Sequence, residues 1–387
     1  MKDLSKKIKN IKQSQINVFF NMLLNGKNVI SLCVGQPNFV TPKHISQVTC
    51  DAIMNGKNFY TSEIGMNELV IEISNCLKRK YNCDYKFNEI LPTIGASEAI
   101  DLIIRTLVDE GDEVIVFDPV YDAYCPCICM NGGIPVHVTL KEENGFKIDP
   151  IDLEKKITSK TKAVILNYPN NPTGAIMSYD DLLPIAALCK KYDLYVITDE
   201  IYSELTYKVK HCSIASLPGM KERTILINSF SKAYAMTGFR IGFICARSSL
   251  IEYMKRIHGY TIVCCSSMSQ YAAIEALKNG DADIEMMKEE YNKRREYAYQ
   301  RILNMGLKCY EPFGAFYLFP SVKEFNMDSF EFATRLFKEK NLAIIPGTAF
   351  GDAGKYNIRI SYTCSFDELI IGMNKLEEFV NDLRNNK

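Results

Sequence analysis

The feature that most constrains the fold lies in the middle of the chain. Short, nearly unbroken apolar runs recur there, separated by segments of helical period. Residues 113–117 (EVIVF), 134–140, 162–166, 194–198 (LYVIT), 224–228 and 240–246 read as strands, and residues 182–191 carry a helical pattern. Residues 97–108 read as a helix, with Ser97 as N-cap before a stripe of Ile100, Ile103, Ile104 and Leu107. Strands of four to six residues alternating with helices imply crossover connections and a mainly parallel sheet covered by helices, an α/β architecture. From about Asp281 the texture changes. A long charged amphipathic helix spans 284–303, and short strands and two more helices follow, ending near Leu383. We therefore expect a large domain over 46–280. A second, smaller α+β domain would be built from 281–387 together with the N-terminal segment 1–45.

Composition narrows the function. Lys plus Arg equals Asp plus Glu at 46 each, which argues against a nucleic-acid coat or a membrane-surface binder. No apolar run approaches the ~18 residues of a membrane span. The first fifteen residues hold five lysines but no apolar stretch of a secretory signal, so a cytoplasmic protein is expected. The fourteen cysteines include no C-x-x-C pair, and the tightest group of three is Cys125, Cys127 and Cys129. They read as free thiols in a reducing compartment. His44, His137, His211 and His258 are the only histidines, none in a metal-binding pattern, so no metal is expected.

Three segments carry chemistry. Ser229-Phe-Ser-Lys-Ala-Tyr-Ala-Met-Thr-Gly-Phe-Arg-Ile-Gly242 places Lys232 in a Ser/Gly-rich loop between two buried strands, with Arg240 eight residues on. Surface lysines rarely sit in such a place. Asn167-Tyr-Pro-Asn-Asn-Pro-Thr-Gly174 follows a strand and on its own reads as a turn. Thr198-Asp-Glu-Ile-Tyr202 puts Asp199 at the carboxyl end of a parallel strand, where open α/β sheets bind ligands, although an N-cap would read the same way.

In this order and spacing the three segments closely resemble the class I/II aminotransferases among the fold type I pyridoxal-phosphate enzymes. The resemblance runs from Gly35-Gln-Pro-Asn-Phe39 to Arg359. It implies pyridoxal 5'-phosphate as cofactor and Lys232 as its Schiff-base lysine, able to move a proton once freed. It implies Asp199 as partner of the pyridine nitrogen, and Asn171 and Tyr202 as hydrogen-bond partners of the phenolic oxygen. Tyr121 matches the aromatic that stacks on the ring, with Tyr124 as an alternative. The implied phosphate cradle comprises Gly95, Ala96 and Ser97 at a helix start, with Ser229, Ser231 and Arg240. Tyr60 matches a tyrosine reaching the phosphate from a neighbouring subunit, which implies a homodimer with shared sites. Arg359 matches the arginine that grips the substrate α-carboxylate, and Gly35 a backbone position beside it.

The segments 199–207, 258–260 and 264–270 are similar to bacterial N-acetyl-diaminopimelate and aromatic aminotransferases. A substrate of that type, exchanging its amino group with 2-oxoglutarate, is expected. Its side-chain pocket would draw on Phe19, Phe20, the loop at Gly35 and Tyr260 of a second subunit. An aspartate aminotransferase or a C–S β-lyase would share the same cofactor motifs. A DNA-binding regulator built on this scaffold needs a winged helix, for which the ~30 residues before Gly35 are too few.

Overall fold

The computed structural model describes residues 3, 5–9, 11, 13–25 and 28–385. Twelve strands follow in chain order: β1 (Ile30–Ser31), β2 (Ile90–Thr93), β3 (Glu113–Asp118), β4 (Ile134–Thr139), β5 (Thr161–Asn167), β6 (Tyr195–Asp199), β7 (Thr224–Ser229), β8 (Gly242–Cys245), β9 (Tyr317–Leu318), β10 (Leu342–Ala343), β11 (Ile345–Pro346) and β12 (Ile358–Ser361). Seven of them form one sheet in the order β2-β8-β7-β6-β5-β3-β4. The pairings from β7 through β4 are parallel, while β8 runs antiparallel to both its neighbours.

Strands β3, β5, β6 and β7 are buried on both faces, which explains why they read as unbroken apolar runs, whereas the edge strand β4 is only partly covered. On β3, Val114 and Val116 pack into one core cluster while Ile115 and Phe117 pack into another. On β5, Ala163 and Ile165 share the first, and Val164 and Leu166 the second. The period of two is present, but neither face meets water, so it leaves no polar alternation. Each such aliphatic side chain contributes ~1.5–3 kcal/mol by leaving water. The helix Tyr179–Lys191 starts in a capping box, with Ser178 Oγ accepting from the Asp181 amide and Asp181 accepting from the Ser178 amide.

The C-terminal part holds the antiparallel sheet β11-β12-β9, the helices Asp281–Asn304, Ser329–Lys340 and Phe366–Asn385, and the parallel pair β1–β10. That pair ties residues 30–31 to 342–343, so the N-terminal segment shares a core with the C-terminal part.

Two local readings change. Strand β2 was not anticipated, because Pro92 at its centre argues against a strand. It survives as an edge strand that needs no partner on its outer side. The helix expected at 97 starts at Gly95, with Ile94 as N-cap. Ser97 lies inside the first turn and caps nothing; the Glu98 carboxylate takes up the Ile94 amide instead.

Candidate active site

A cavity of about 600 Å³ opens at the carboxyl ends of β5, β6 and β7. Asn167 and Asp199, the last residues of β5 and β6, line it, and so does Lys232, four residues into the turn that follows Asn228. Ser229 makes that turn. Its Oγ accepts the Ser231 amide at 3.2 Å and so starts the short helix Phe230–Ala233 that carries the lysine.

Lys232 Nζ donates to the Gly35 carbonyl at 2.6 Å. Burial first, then the Arg359 and Arg240 cations, push its pKa down to about 8, with Asp199 opposing. A fraction of the amine is thus unprotonated near neutrality, which an attack on a carbonyl carbon requires. Asp199 is pushed the other way. Burial raises it to about 6, and the Tyr124 hydroxyl at 2.7 Å and the Ile201 amide at 3.2 Å pull it back. A protonated ring nitrogen facing it would favour its anion further.

Tyr121 and Tyr124 both line the cavity, with their rings edge to face at 5.4 Å. Since Tyr124 gives its hydroxyl to Asp199, it supports the carboxylate, and Tyr121 is left as the ring-stacking candidate.

The helix start at Gly95 faces Arg240. Gly95 has φ +70°, and a Cβ there would sit 2.7 Å from Arg240 Nη2, so glycine lets the guanidinium close over the first turn. Ala96, Ser97, Ser231 and Arg240 line the cavity together. Among the described residues no carboxylate pairs with Arg240, whose Nη1 donates to the Thr237 carbonyl at 3.1 Å. Helix-start amides, two hydroxyls and an unpaired guanidinium suit a phosphate dianion. Ser229 lies one layer below, with Ser231 Oγ and the Ile241 carbonyl both 3.0 Å from its Oγ.

Arg359 comes from β12, across the cavity. It is buried, its guanidinium lies 4.5 Å from the Tyr317 ring centre and 4.9 Å from that of Phe350, and no carboxylate pairs with it among the described residues. Nη1 donates to Asn171 Oδ1 at 2.9 Å and Nη2 to the Cys33 carbonyl at 2.7 Å, while the buried Nε has no partner. A buried cation with a donor to spare calls for an anion. Asn171 is itself held by the Asn167 side chain, which accepts its amide at 3.0 Å.

Gly35, Ala96, Ser97, Tyr121, Asn171, Asp199, Tyr202, Ser231, Lys232, Arg240 and Arg359 therefore share one cavity. Gly95 borders it behind Arg240. Tyr60 stands apart on the surface, 83% exposed. Phe19 is buried beside Phe330 and Phe20 points outward, so neither lines the cavity, whereas Ile16 does. The expectation for the N-terminal segment was thus displaced by one helical turn.

Sequence reasoning missed Tyr317, whose hydroxyl lies 2.7 Å from that of Tyr202 and would meet a Cβ at Gly35 at 2.4 Å. It also missed Gln36 and Thr237. The one sequence cue for Tyr317 is its place in the run Gly314-Ala-Phe-Tyr-Leu318, which carries no catalytic signature. The amine, the carboxylate at a strand end and the phosphate-type cradle in one cavity fit pyridoxal phosphate.

Comparison with known proteins agrees. Residues 27–376 match the family described as aminotransferase class I and II. The chain is 42% identical over 97% of its length to a probable N-acetyl-LL-diaminopimelate aminotransferase of Bacillus subtilis, of which it covers 95%. It is 39% identical to an aspartate aminotransferase of Pyrococcus abyssi, with 98% of each chain covered. The crystal structure of an aromatic aminotransferase from Pyrococcus horikoshii superposes with a TM-score of 0.91 at 38% identity, covering 95% of this chain and 99% of that one. With the family match spanning nine-tenths of the sequence and the cavity carrying the groups such chemistry needs, the chain belongs to the class I and II aminotransferases and is a pyridoxal-phosphate-dependent transaminase.

Proposed function

We propose that the amino donor carries a sizeable side chain without a second carboxylate close to the reacting carbon, of the aromatic or N-acetyl-diaminopimelate type, with 2-oxoglutarate as the common acceptor. One observation carries this reading. Among the described residues that line the cavity, only Asp199, Lys232, Arg240 and Arg359 are charged. The cofactor engages the first three, so Arg359 is left as the cation for substrate. It takes the α-carboxylate bidentately, which fixes the orientation of Cα. The short distal carboxylate of aspartate would then find no second cation among the described lining residues, at the cost of an unpaired charge. Asp122, whose carboxylate accepts the Ser14 hydroxyl at 2.5 Å beside Tyr121, adds negative potential on that side.

Pyridoxal phosphate supplies a carbonyl carbon that condenses with amines and a ring that takes up the charge released at Cα. The rest of the work falls to the chain. Lys232 would deliver and remove the proton at Cα, and its depressed pKa suits both directions. Asp199, braced by Tyr124, would keep the ring nitrogen protonated. Tyr202 and Asn171 would hold the phenolic oxygen, and Tyr317 holds Tyr202. Ala96, Ser97, Ser231, Arg240 and, one layer below, Ser229 would anchor the phosphate, and Tyr121 would pack against the ring.

The reading includes a homodimer in which Tyr60 serves the neighbour's site. Phe59, Tyr60 and Tyr260 are 80%, 83% and 96% exposed, large aromatics that a monomer gains nothing by presenting to water. It also includes the division into 46–280, carrying the cofactor groups, and 1–45 with 281–387, carrying Arg359.

The experiment is a comparison of kcat/KM for phenylalanine, N-acetyl-LL-diaminopimelate and aspartate, each against 2-oxoglutarate. We expect aspartate to be the poorest by ~10-fold or more, ~1.4 kcal/mol in transition-state binding. If aspartate exceeds both others by that factor, the substrate reading is wrong and the cofactor chemistry stands.

A further inference from the structure

The three clustered cysteines of the helix Tyr124–Met130 play no part in transamination, yet the structure treats them differently. Cys127 is buried with its sulfur 3.8 Å from Asp101 Oδ1, and burial with that carboxylate pushes its thiol up to about 12. Cys129 is also held above the ordinary thiol range, by burial and by the neighbouring Cys125 sulfur. Both are therefore poor nucleophiles.

Cys125 has different company. Its half-buried sulfur lies 4.0 Å from His137 Nε2, and the other ring nitrogen, Nδ1, lies 2.9 Å from Asp118 Oδ2. The three residues come from three elements: Asp118 from the end of β3, His137 from the edge strand β4, Cys125 from the second position of the helix. The Asp118 side chain is buried, and its Oδ1 has no partner. Its carboxyl group is backed by Gly351, where a Cβ would come within 2.8 Å. With one oxygen unpaired, the carboxylate directs its charge at His137, whose pKa is pushed up to about 10, first by the Asp118 hydrogen bond and then by the sulfur. The ring is thus a cation at neutral pH, presenting Nε2–H to the Cys125 sulfur.

We propose that Cys125, in this Cys125–His137–Asp118 array, is a modification site for soft electrophiles and peroxides. With an alkyl halide the sulfur forms an S–C bond, halide leaves with the electron pair of the broken bond, and the thiol proton passes to solvent. With hydrogen peroxide an S–O bond forms as the O–O bond breaks, and the leaving hydroxide takes up the proton the thiol gave up and departs as water. The sulfur is oxidised by two electrons to the sulfenic acid, and the peroxide is reduced. His137 stays protonated throughout and stabilises the negative charge that attacks and leaves.

The holoenzyme is treated with limiting iodoacetamide at pH 7, and peptides containing each cysteine are followed over time. Cys50, which is more exposed, serves as the internal reference. We expect Cys125 to be alkylated ~10-fold faster than Cys50, and His137→Gln to remove that advantage while leaving Cys50 unchanged. A second comparison needs no variant. The anionic reagent iodoacetate, relative to iodoacetamide, should be favoured at Cys125 over Cys50 by ~3-fold or more, an advantage that fades as salt screens the imidazolium. Dimedone capture after brief peroxide exposure should label the same residue. The proposal is overturned if Cys125 reacts no faster than Cys50, if His137→Gln leaves its rate unchanged, or if the two reagents show the same ratio at both sites.

Discussion

Replacing Asp199 by asparagine should make the cofactor-free protein more stable while it cripples the enzyme. Asp199 titrates near 3.8 in an unfolded chain and near 6 in the folded one, a rise caused first by burial. Below pH 4 both states are protonated and the group costs nothing. Between pH 4 and 6 the folded state holds a proton that the unfolded state has lost, so stability falls as pH rises. Above pH 6 the folded protein carries a buried anion and the full cost is present. The rise from 3.8 to about 6 corresponds to ~3 kcal/mol as an upper figure. Asparagine keeps the shape and still accepts the Tyr124 hydroxyl through Oδ1. It lacks the charge that supports a protonated Lys232, so the net gain should be ~1–3 kcal/mol at pH 8 and close to nothing at pH 4. Urea unfolding of both cofactor-free proteins at the two pH values measures this, and the slope with urea checks that the same surface is exposed. In the loaded enzyme the same substitution should cost ~10²–10³-fold in kcat, as for other groups that stabilise charge in a transition state. A variant that gains nothing at pH 8, or gains equally at pH 4, would show that the anion is not uncompensated and would refute the electrostatic account of this carboxylate.

Lys232→Ala should lower turnover by ~10⁴-fold or more, because proton transfer alone is worth ~10²–10⁴-fold and the condensing amine is lost as well; stopped-flow absorbance in the visible should show the native band missing. Arg359→Gln should lower kcat/KM by ~10²-fold or more for every substrate tested, since one charged hydrogen-bond pair is worth ~1.5–3 kcal/mol and two are removed; an effect confined to one substrate would argue that the α-carboxylate binds elsewhere. Mixing Tyr60→Phe with Lys232→Ala chains should restore activity. In the hybrid, the site with an intact lysine takes an intact tyrosine from its partner, so about half of the parent's activity per dimer is expected; no recovery would place Tyr60 in the site of its own chain.

Strands β3, β5, β6 and β7 were legible because each is buried on both faces and reads as an apolar run that needs no context. Pro92 hid β2, since a ring that cannot donate looks like a break until the sheet order shows that its outer side needs no partner. Ser97 looked like a cap because serine is favoured there, but the positive φ at Gly95 moves the helix start back two residues, and Glu98 takes the free amide. The residues carried over as the cofactor groups lay within short motifs, and nearly all of them meet in one cavity. Tyr317 lay outside any motif. Its contacts with Tyr202 and Arg359 join positions 115 and 42 residues apart, and only the fold brings them together. Cys125, His137 and Asp118 are similar: each is unremarkable in sequence, the parallel register of β3 and β4 brings Asp118 beside His137, and the helix between the two strands sets Cys125 near the ring.

The pairing of β2 with β8 has a consequence in time. Thr93 lies opposite Gly242, so the two halves of the phosphate cradle, the helix start at Gly95 and the turn holding Arg240, meet only when a loop of about 150 residues has closed. Closures of that length are slow steps in folding, because chain entropy is lost before the distant contacts return it. A chain emerging from the ribosome can build β3 through β7 and still have no place for a phosphate. The cradle exists only once β8 has turned back beside β7 and drawn β2 onto its far edge. Capture of the cofactor must therefore wait for that closure, and its visible absorbance during refolding should lag the recovery of helix signal.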